Sequence, residues 1–173
     1  SFKHHASGIK KPRIIVSAIE HESVLETAHD LERSGEAEVV YLPVDSRGVV
    51  DSGRLEESLN ERTILVSIIH ASNEIGTIQP VSEIGALCAE RSILFHTDAT
   101  QGVGRVPIDV AAMNIHLLSF ASHKMYGPKG VGALYIRSKN PRTSILPQMD
   151  GAGHEYGLRS GTLNVPGIVG FGK

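Results

Sequence analysis

A lysine followed by a glycine-rich turn is the strongest chemical signal in the sequence. The apolar run Leu117–Phe120 precedes Ser122, His123 and Lys124, and a Gly-Pro-x-Gly turn occupies positions 127–130. Most lysines are solvated surface charges, so a lysine alone would indicate nothing. Directly after a buried strand, however, a lysine loses solvent and its amine becomes uncharged more readily, as formation of a Schiff base requires. The segment therefore predicts a functional Lys124.

A carboxylate and an amide follow another apolar run, in the segment 96–101. Asp98 alone is typical of a residue that caps the next helix. Its carboxylate could equally pair with a protonated heteroaromatic nitrogen. Pyridoxal phosphate needs such a partner, because its ring withdraws electrons only while that nitrogen is protonated. Gln101, one turn further on, could then donate a hydrogen bond to the phenolic oxygen of the ring. The two interpretations of Asp98 are compatible.

Other polar residues carry weaker signals. Asn73 follows the most apolar run, and His21 follows the first run, where its ring could lie flat on a planar cofactor. Taken alone, the first is typical of an ordinary turn and the second of a structural histidine. The nine histidines are scattered and there is one cysteine, so no zinc-binding pattern is present. That cysteine, Cys88, lies on the apolar side of a predicted helix and is predicted to be a core residue.

The elements that position these residues alternate between strands and helices. Short apolar runs predict strands at positions 14–18, 39–42, 64–69, 93–96, 117–120 and 132–136, and spaced apolar residues predict helices beginning near positions 21, 51 and 80. This order is typical of an α/β domain with a mostly parallel sheet layered with helices. Ligands of such sheets bind beyond the carboxyl ends of the strands, which the polar residues above follow. The glycine-rich positions 148–170 are predicted to be loops.

Composition excludes several classes of protein. The chain has 173 residues, a formal charge of −2 and one cysteine. This length suits one domain, and the near-neutral charge offers no attraction for nucleic acid. No run of about 18 apolar residues predicts a membrane span. A single cysteine cannot form an internal disulfide and is typical of a reducing compartment. The first residues lack the apolar core of a signal peptide, and the termini lead us to expect a piece of a longer protein.

Five short motifs occur in one order: Glu-His at 20–21, Ser-Asn-Glu-Ile-Gly at 72–76, His-Thr-Asp-Ala-Thr-Gln at 96–101, Ser-His-Lys-x-Tyr-Gly-Pro-Lys-Gly at 122–130 and Arg-Ser-Gly-Thr at 159–162. In this order they resemble the cysteine desulfurases of the NifS/IscS type, which are pyridoxal phosphate enzymes of the class V aminotransferase group. The resemblance implies an aspartate aminotransferase-like fold. It further implies that positions 1–173 are the central part of its large, cofactor-binding domain, with the N-terminal and C-terminal portions of the family fold outside this chain.

The resemblance also implies a role for each matching residue around the cofactor ring. Lys124 would hold pyridoxal 5'-phosphate as a Schiff base, and Asp98 would pair with the ring nitrogen. His21 would stack on the ring and assist proton transfer. Asn73 and Gln101 would donate hydrogen bonds to the phenolic oxygen.

The implied phosphate contacts include one departure from the family pattern. His123 would contact the phosphate, and Thr162 would reach the phosphate bound to the neighbouring subunit of a homodimer. Members of the family often have a phosphate-binding serine where this sequence has Ala121. The adjacent Ser122 is the candidate to replace that serine.

By analogy, the reaction takes sulfur from L-cysteine, releases L-alanine and leaves a persulfide on an enzyme cysteine, from which sulfur passes to iron–sulfur scaffolds or other acceptors. Cys88 does not match the persulfide position, so the isolated chain is expected to be inactive. Selenocysteine lyase, cysteine sulfinate lyase and a non-catalytic remnant of the fold are the alternatives. A nucleotide-binding α/β module is disfavoured because the glycines do not fit G-x-G-x-x-G. The expected location is the cytoplasm, or the mitochondrial matrix in a eukaryote.

Overall fold

One sheet organises the chain in the computed structural model, which describes residues 11–173. Its strands are β1 (Arg13–Ser17), β2 (Glu38–Leu42), β3 (Thr63–Ser67), β4 (Leu94–Asp98), β5 (Leu117–Ala121) and β6 (Gly132–Ile136). Their order across the sheet is β2-β1-β3-β4-β5-β6; the first five are parallel, and β6 runs antiparallel to β5. The predicted strands and the predicted α/β class are confirmed.

Helices connect the parallel strands on both faces of the sheet. They are α1 (Glu22–Arg33), α2 (Ser52–Ser58) and α3 (Val81–Glu90), and a further helix, α4 (Val165–Gly172), follows β6. Side chains cap the first two: His21 Nδ1 accepts from Ser23 N, and Asp51 Oδ1 accepts from Gly53 N. These bonds satisfy amide groups that have no partner within a helix, which is why the helices begin there. The three helices predicted from the sequence are confirmed.

Two apolar layers hold the helices to the sheet. On one face, Ile14, Val16 and Val39 pack with Ala28 of α1. On the other face the layer is larger, and it contains Ile15, Val66, Phe95 and Leu118 of the strands with Leu55, Ile84 and Cys88 of α2 and α3. Successive strand residues point to opposite faces, so β1 contributes to both layers and reads as an unbroken apolar run. A central strand covered on both sides gives the polar residues beyond it a rigid base.

The prediction of loops throughout positions 148–170 is wrong, because α4 begins within that range. Asn164 Oδ1 accepts from Gly167 N, and Pro166 lies in the first turn, where its missing amide hydrogen costs nothing. Phe171 packs against Phe120 of β5, with 5.6 Å between the ring centroids. Tertiary packing therefore stabilises a helix whose glycine content argues against it. No helix within residues 11–173 is both long and apolar enough to cross a membrane.

Candidate active site

The predicted polar residues lie beyond the carboxyl ends of four neighbouring parallel strands. His21 follows β1, Asn73 follows β3, Asp98 ends β4, and Ser122, His123 and Lys124 form a 3-10 turn directly after β5. These strands are adjacent in the order β1-β3-β4-β5, so their carboxyl ends share one edge of the sheet. The direction of the chain changes between β1, which is followed outward by β2, and β3 on its other side. Such a switch point is where open α/β sheets form a ligand-binding crevice.

Asp98 is a buried carboxylate, with 7% of its surface exposed. Its Oδ1 accepts a hydrogen bond from Thr100 N at 2.9 Å, and its backbone carbonyl accepts from His70 N at 2.8 Å. Within residues 11–173 no lysine, arginine or histidine forms a salt bridge with it. The residues after Asp98 form a series of turns, so the predicted role as the cap of an α-helix is wrong. Asp98 is the last residue of β4, and its bond from Thr100 N stabilises the turn that follows the strand.

His96 fixes the strands beneath Asp98. Its Nδ1 lies 2.7 Å from Ser67 Oγ of β3, and its Nε2 lies 3.1 Å from Ser119 Oγ of β5. Burial lowers the pKa of His96 to about 4, against an opposing effect of the nearby Asp98 charge. The imidazole is therefore neutral at physiological pH, with one nitrogen that donates and one that accepts. This arrangement joins three strands at the level of the site without adding a charge there.

Lys124 is half-buried on the turn after β5, and Arg105 ties this turn to the preceding one. The Arg105 guanidinium donates to the Lys124 backbone carbonyl at 2.8 Å and to Gln101 Oε1 at 3.2 Å. Arg105 therefore connects the two predicted cofactor-binding segments, a role that the sequence analysis missed. Its position four residues after Gln101, where side chains meet on a helical turn, is the signal that could have indicated it.

Ser122 points into the protein. The residue has no exposed surface, and its Oγ is buried without a hydrogen-bond partner among the described residues. It lies against Gly127, where an added Cβ would fall 2.2 Å from the Ser122 Oγ. In this conformation the hydroxyl does not face solvent, so contact with a phosphate would require the side chain to turn outward. The phosphate role of Ser122 remains a prediction.

The remaining predicted residues are exposed. His21 shares its Nδ1 with the Ser23 hydroxyl at 2.8 Å, which leaves its Nε2 side open to solvent. Asn73 and His123 are exposed in the turns after β3 and β5. Thr162 is exposed in the segment before α4, and within residues 11–173 no hydrogen bond joins it to the other predicted site residues. The structure thus brings seven of the eight residues to one edge and places Thr162 on a separate segment.

His70 packs directly under the turn that carries Gln101. Its side chain is 1% exposed, and an added Cβ on Gly102 would fall 2.1 Å from His70 Nδ1. We expect Gly102→Ala to lower the free energy of unfolding by about 1–3 kcal/mol, since the buried ring must shift to make room. Gly53→Ala is the matched control, because that glycine is exposed in α2 and alanine favours a helix by about 1 kcal/mol. Denaturant unfolding of both variants measures the difference, and equal stabilities would contradict the close packing.

Comparison with known proteins places this chain in a family. The family described as aminotransferase class-V matches residues 3–173. A cysteine desulfurase IscS of Anaeromyxobacter sp. (strain Fw109-5) is 54% identical over 164 residues, which are 95% of this chain and 40% of that protein. A mitosomal cysteine desulfurase of Encephalitozoon cuniculi (strain GB-M1) is also 54% identical, over 95% of this chain and 38% of its own length. The chain therefore spans less than half the length of these curated relatives.

Solved structures share the fold. A NifS-like protein superposes with a TM-score of 0.90 at 46% identity, covering 98% of this chain and 46% of that one. A structure described as SspA in complex with cysteine gives a TM-score of 0.89 at 44% identity, covering 94% of this chain and 46% of its own. Enzymes of this fold and family depend on pyridoxal phosphate. The predicted family resemblance is confirmed: the chain belongs to the class V aminotransferases.

Proposed function

We propose that this chain is the central part of the cofactor-binding large domain of a cysteine desulfurase, which converts L-cysteine to L-alanine and transfers the sulfur to an enzyme thiol. The observation that carries the proposal is the placement of a buried carboxylate, Asp98, and a lysine, Lys124, at one edge of the sheet. Two relatives named cysteine desulfurase, each 54% identical to the chain, support it. The SspA structure described with cysteine supports the choice of substrate.

The donor set at this edge fits pyridoxal phosphate. Asp98 is buried without a salt-bridge partner among residues 11–173, although an isolated buried carboxylate is costly. A cationic ring nitrogen would compensate that cost. Lys124 offers an amine on the adjacent strand end, and its backbone is fixed by Arg105. A carboxylate and an amine are the groups that the cofactor requires of a protein.

Each residue then has a defined task. When bound, the cofactor would supply an electron sink for the substrate carbon that loses sulfur. Lys124 would bind it covalently through Nζ, and Asp98 would hold the proton on the ring nitrogen. His21 would contact the ring and move a proton through its free nitrogen. Asn73 and Gln101 orient the phenolic oxygen.

Cys88 is not the thiol that receives the sulfur. It is fully buried in the core between α3 and the sheet, and burial raises the pKa of its thiol to about 12. A thiol in this state is neither ionised nor accessible, and both properties are required of a nucleophile. The acceptor thiol is therefore proposed to belong to another part of the complete protein.

The phosphate contacts and the assembly complete the proposal. His123 and Ser122 are assigned to the phosphate of the same subunit, and Thr162 to the phosphate of the partner subunit in a homodimer. The exposure of Thr162, away from the other site residues, is what such a contact needs. Iron–sulfur scaffolds or other sulfur-accepting proteins are the proposed partners, in the cytoplasm or in a mitochondrial matrix.

The test uses the complete protein loaded with pyridoxal phosphate. With L-cysteine and a thiol reductant, we expect alanine and sulfide to form in equal amounts. Selenocysteine and cysteine sulfinate, supplied separately, measure the substrate preference. A preference for either of these over L-cysteine would replace the proposal with a lyase of that substrate. Failure to turn over any of the three by a protein that binds the cofactor would contradict desulfuration altogether.

A further inference from the structure

A buried acid, Glu20, lies at the switch point of the sheet next to His21. The side chain is 6% exposed, and its Oε1 accepts from Ser17 Oγ at 2.5 Å and from Ile69 N at 2.6 Å. Its Oε2 is also buried and has no hydrogen-bond partner among residues 11–173. Buried polar atoms are nearly always paired, so an unpaired carboxyl oxygen beside the proposed site is an exception with a structural cause.

The Glu20 carboxyl takes the place of a backbone carbonyl as hydrogen-bond acceptor at the point where β1 and β3 separate. The last registered pair between β1 and β3 is Val16 with Ser67, and beyond it the two chains diverge. There the Glu20 carboxyl accepts the Ile69 amide hydrogen. The next amide, of His70, donates to the Asp98 backbone carbonyl at 2.8 Å. Glu20 is thereby linked through two consecutive residues to the strand that carries the proposed ring-binding carboxylate.

The surroundings of Glu20 oppose a negative charge. Burial is the main cause and the Asp98 charge adds to it, so that the pKa of Glu20 rises to about 7 despite the lowering effect of the Ser17 and Ile69 hydrogen bonds. Burial also lowers the pKa of His70, the residue after Ile69, and so disfavours a positive charge there. His21, adjacent in sequence, is exposed and directs its Nδ1 to Ser23. Neither histidine therefore forms a hydrogen bond with Glu20 that would take up its carboxyl proton.

We propose that Glu20 is a positioning residue at the base of the site, which joins β1 to β3 and is a neutral acid below neutral pH, so that it adds no negative charge beside Asp98 there. This inference rests on the proposed function in one respect, namely that the group bound by Asp98 is the protonated ring of pyridoxal phosphate. The structural part, a neutral buried acid bridging two strands, is independent of any ligand. The experiment therefore needs one readout for each part.

The first readout is the thermal stability of the complete protein without cofactor, measured from about pH 5 to about pH 8.5. Because the pKa of Glu20 is raised on folding, its contribution to stability is fully present below the unfolded value of 4.5 and is lost as the pH rises through about 7. Glu20→Gln mimics the neutral acid and cannot ionise. We expect it to match the wild type near pH 5 and to exceed its Tm by roughly 3 °C or more at the highest pH. Glu22→Gln, an exposed neighbour, is the control and should follow the wild type.

The second readout is the absorption spectrum of the bound cofactor as a function of pH. In the wild type, ionisation of Glu20 adds a negative charge near the ring. This charge raises the pH at which the ring nitrogen of the cofactor loses its proton. We expect Glu20→Gln to lower that midpoint by about 0.5 pH unit or more, whereas a purely structural role would leave it unchanged. Ser17→Ala keeps the inference testable if Glu20→Gln does not fold. Loss of the hydroxyl donor should move the stability transition to higher pH.

The outcomes separate the two proposals. Parallel stability profiles of wild type and Glu20→Gln, or an unmoved transition in Ser17→Ala, would overturn the assignment of a neutral Glu20. Diverging profiles with an identical cofactor midpoint would overturn its influence on the ring. A wild-type protein that binds no pyridoxal phosphate would contradict the proposed function, while the stability profiles would still decide the state of Glu20.

Discussion

Lys124→Ala in the complete protein is expected to abolish covalent retention of pyridoxal phosphate and to reduce desulfuration below detection. The substitution removes the amine that forms the bond. It leaves the turn intact, because Met125 N and Gly127 N donate to the Ser122 carbonyl at 2.9 and 3.0 Å without any part of the lysine side chain. Reduction with borohydride, followed by peptide mapping, measures the adduct, and circular dichroism measures the fold.

Lys129→Ala is the matched control for that experiment. Lys129 is exposed in the same connection between β5 and β6 and lies outside the proposed site. Its replacement should leave both the adduct and the turnover at the wild-type level. A borohydride-stable adduct that survives in Lys124→Ala, or one that disappears in Lys129→Ala, would move the attachment point away from Lys124.

Asp98→Asn is expected to bind the cofactor but to lower turnover about 10³-fold. Two opposite charges at about 4 Å attract each other by about 4 kcal/mol at an effective dielectric constant of about 20, and about 1.4 kcal/mol corresponds to a tenfold change in rate. An asparagine keeps the acceptor for Thr100 N but cannot hold a proton on the ring nitrogen. The kcat of the variant, together with the cofactor content by absorbance, checks both statements.

Asp109→Asn separates this electrostatic effect from the loss of a turn cap. Asp109 is an exposed carboxylate whose Oδ1 accepts from Ala111 N at 2.9 Å and from Ala112 N at 3.0 Å, which resembles the local bond of Asp98. If capping alone mattered, both asparagine variants would lose similar activity. We expect only Asp98→Asn to do so, and wild-type turnover in that variant would refute its proposed role.

The sequence predicts the fold well where a signal is local. The run Ile14–Ala18 predicts a buried strand, and each face of that strand packs against a separate apolar layer. The helix caps at His21 and Asp51 are also local, because each side chain accepts from an amide two residues further on. The helix α4 could not be predicted, since its stability depends on the contact of Phe171 with Phe120, which lies 51 positions away. Local propensity says nothing about such a partner.

The site is predicted less completely for the same reason. The sequence order places Asp98 and Lys124 after successive strands, and parallel pairing then brings both residues to one edge. The role of Glu20 depends on the amide of Ile69, which is 49 residues away, and that of Arg105 on the carbonyl of Lys124. Both are contacts between a side chain and a distant backbone atom, which no residue pattern encodes. The individual cofactor contacts remain predictions.

The antiparallel strand β6 has a consequence for how the lysine moves. The segment with Lys124 is the loop of a hairpin, closed at its base where Ser122 N donates to the Val131 carbonyl at 3.0 Å. Within the sheet of residues 11–173, β6 pairs on one side only, so it can separate from β5 without breaking hydrogen bonds to a second strand. Such an opening releases the whole loop at once. The proposed attachment point at Lys124 is therefore held in place only as firmly as β6 is held against β5.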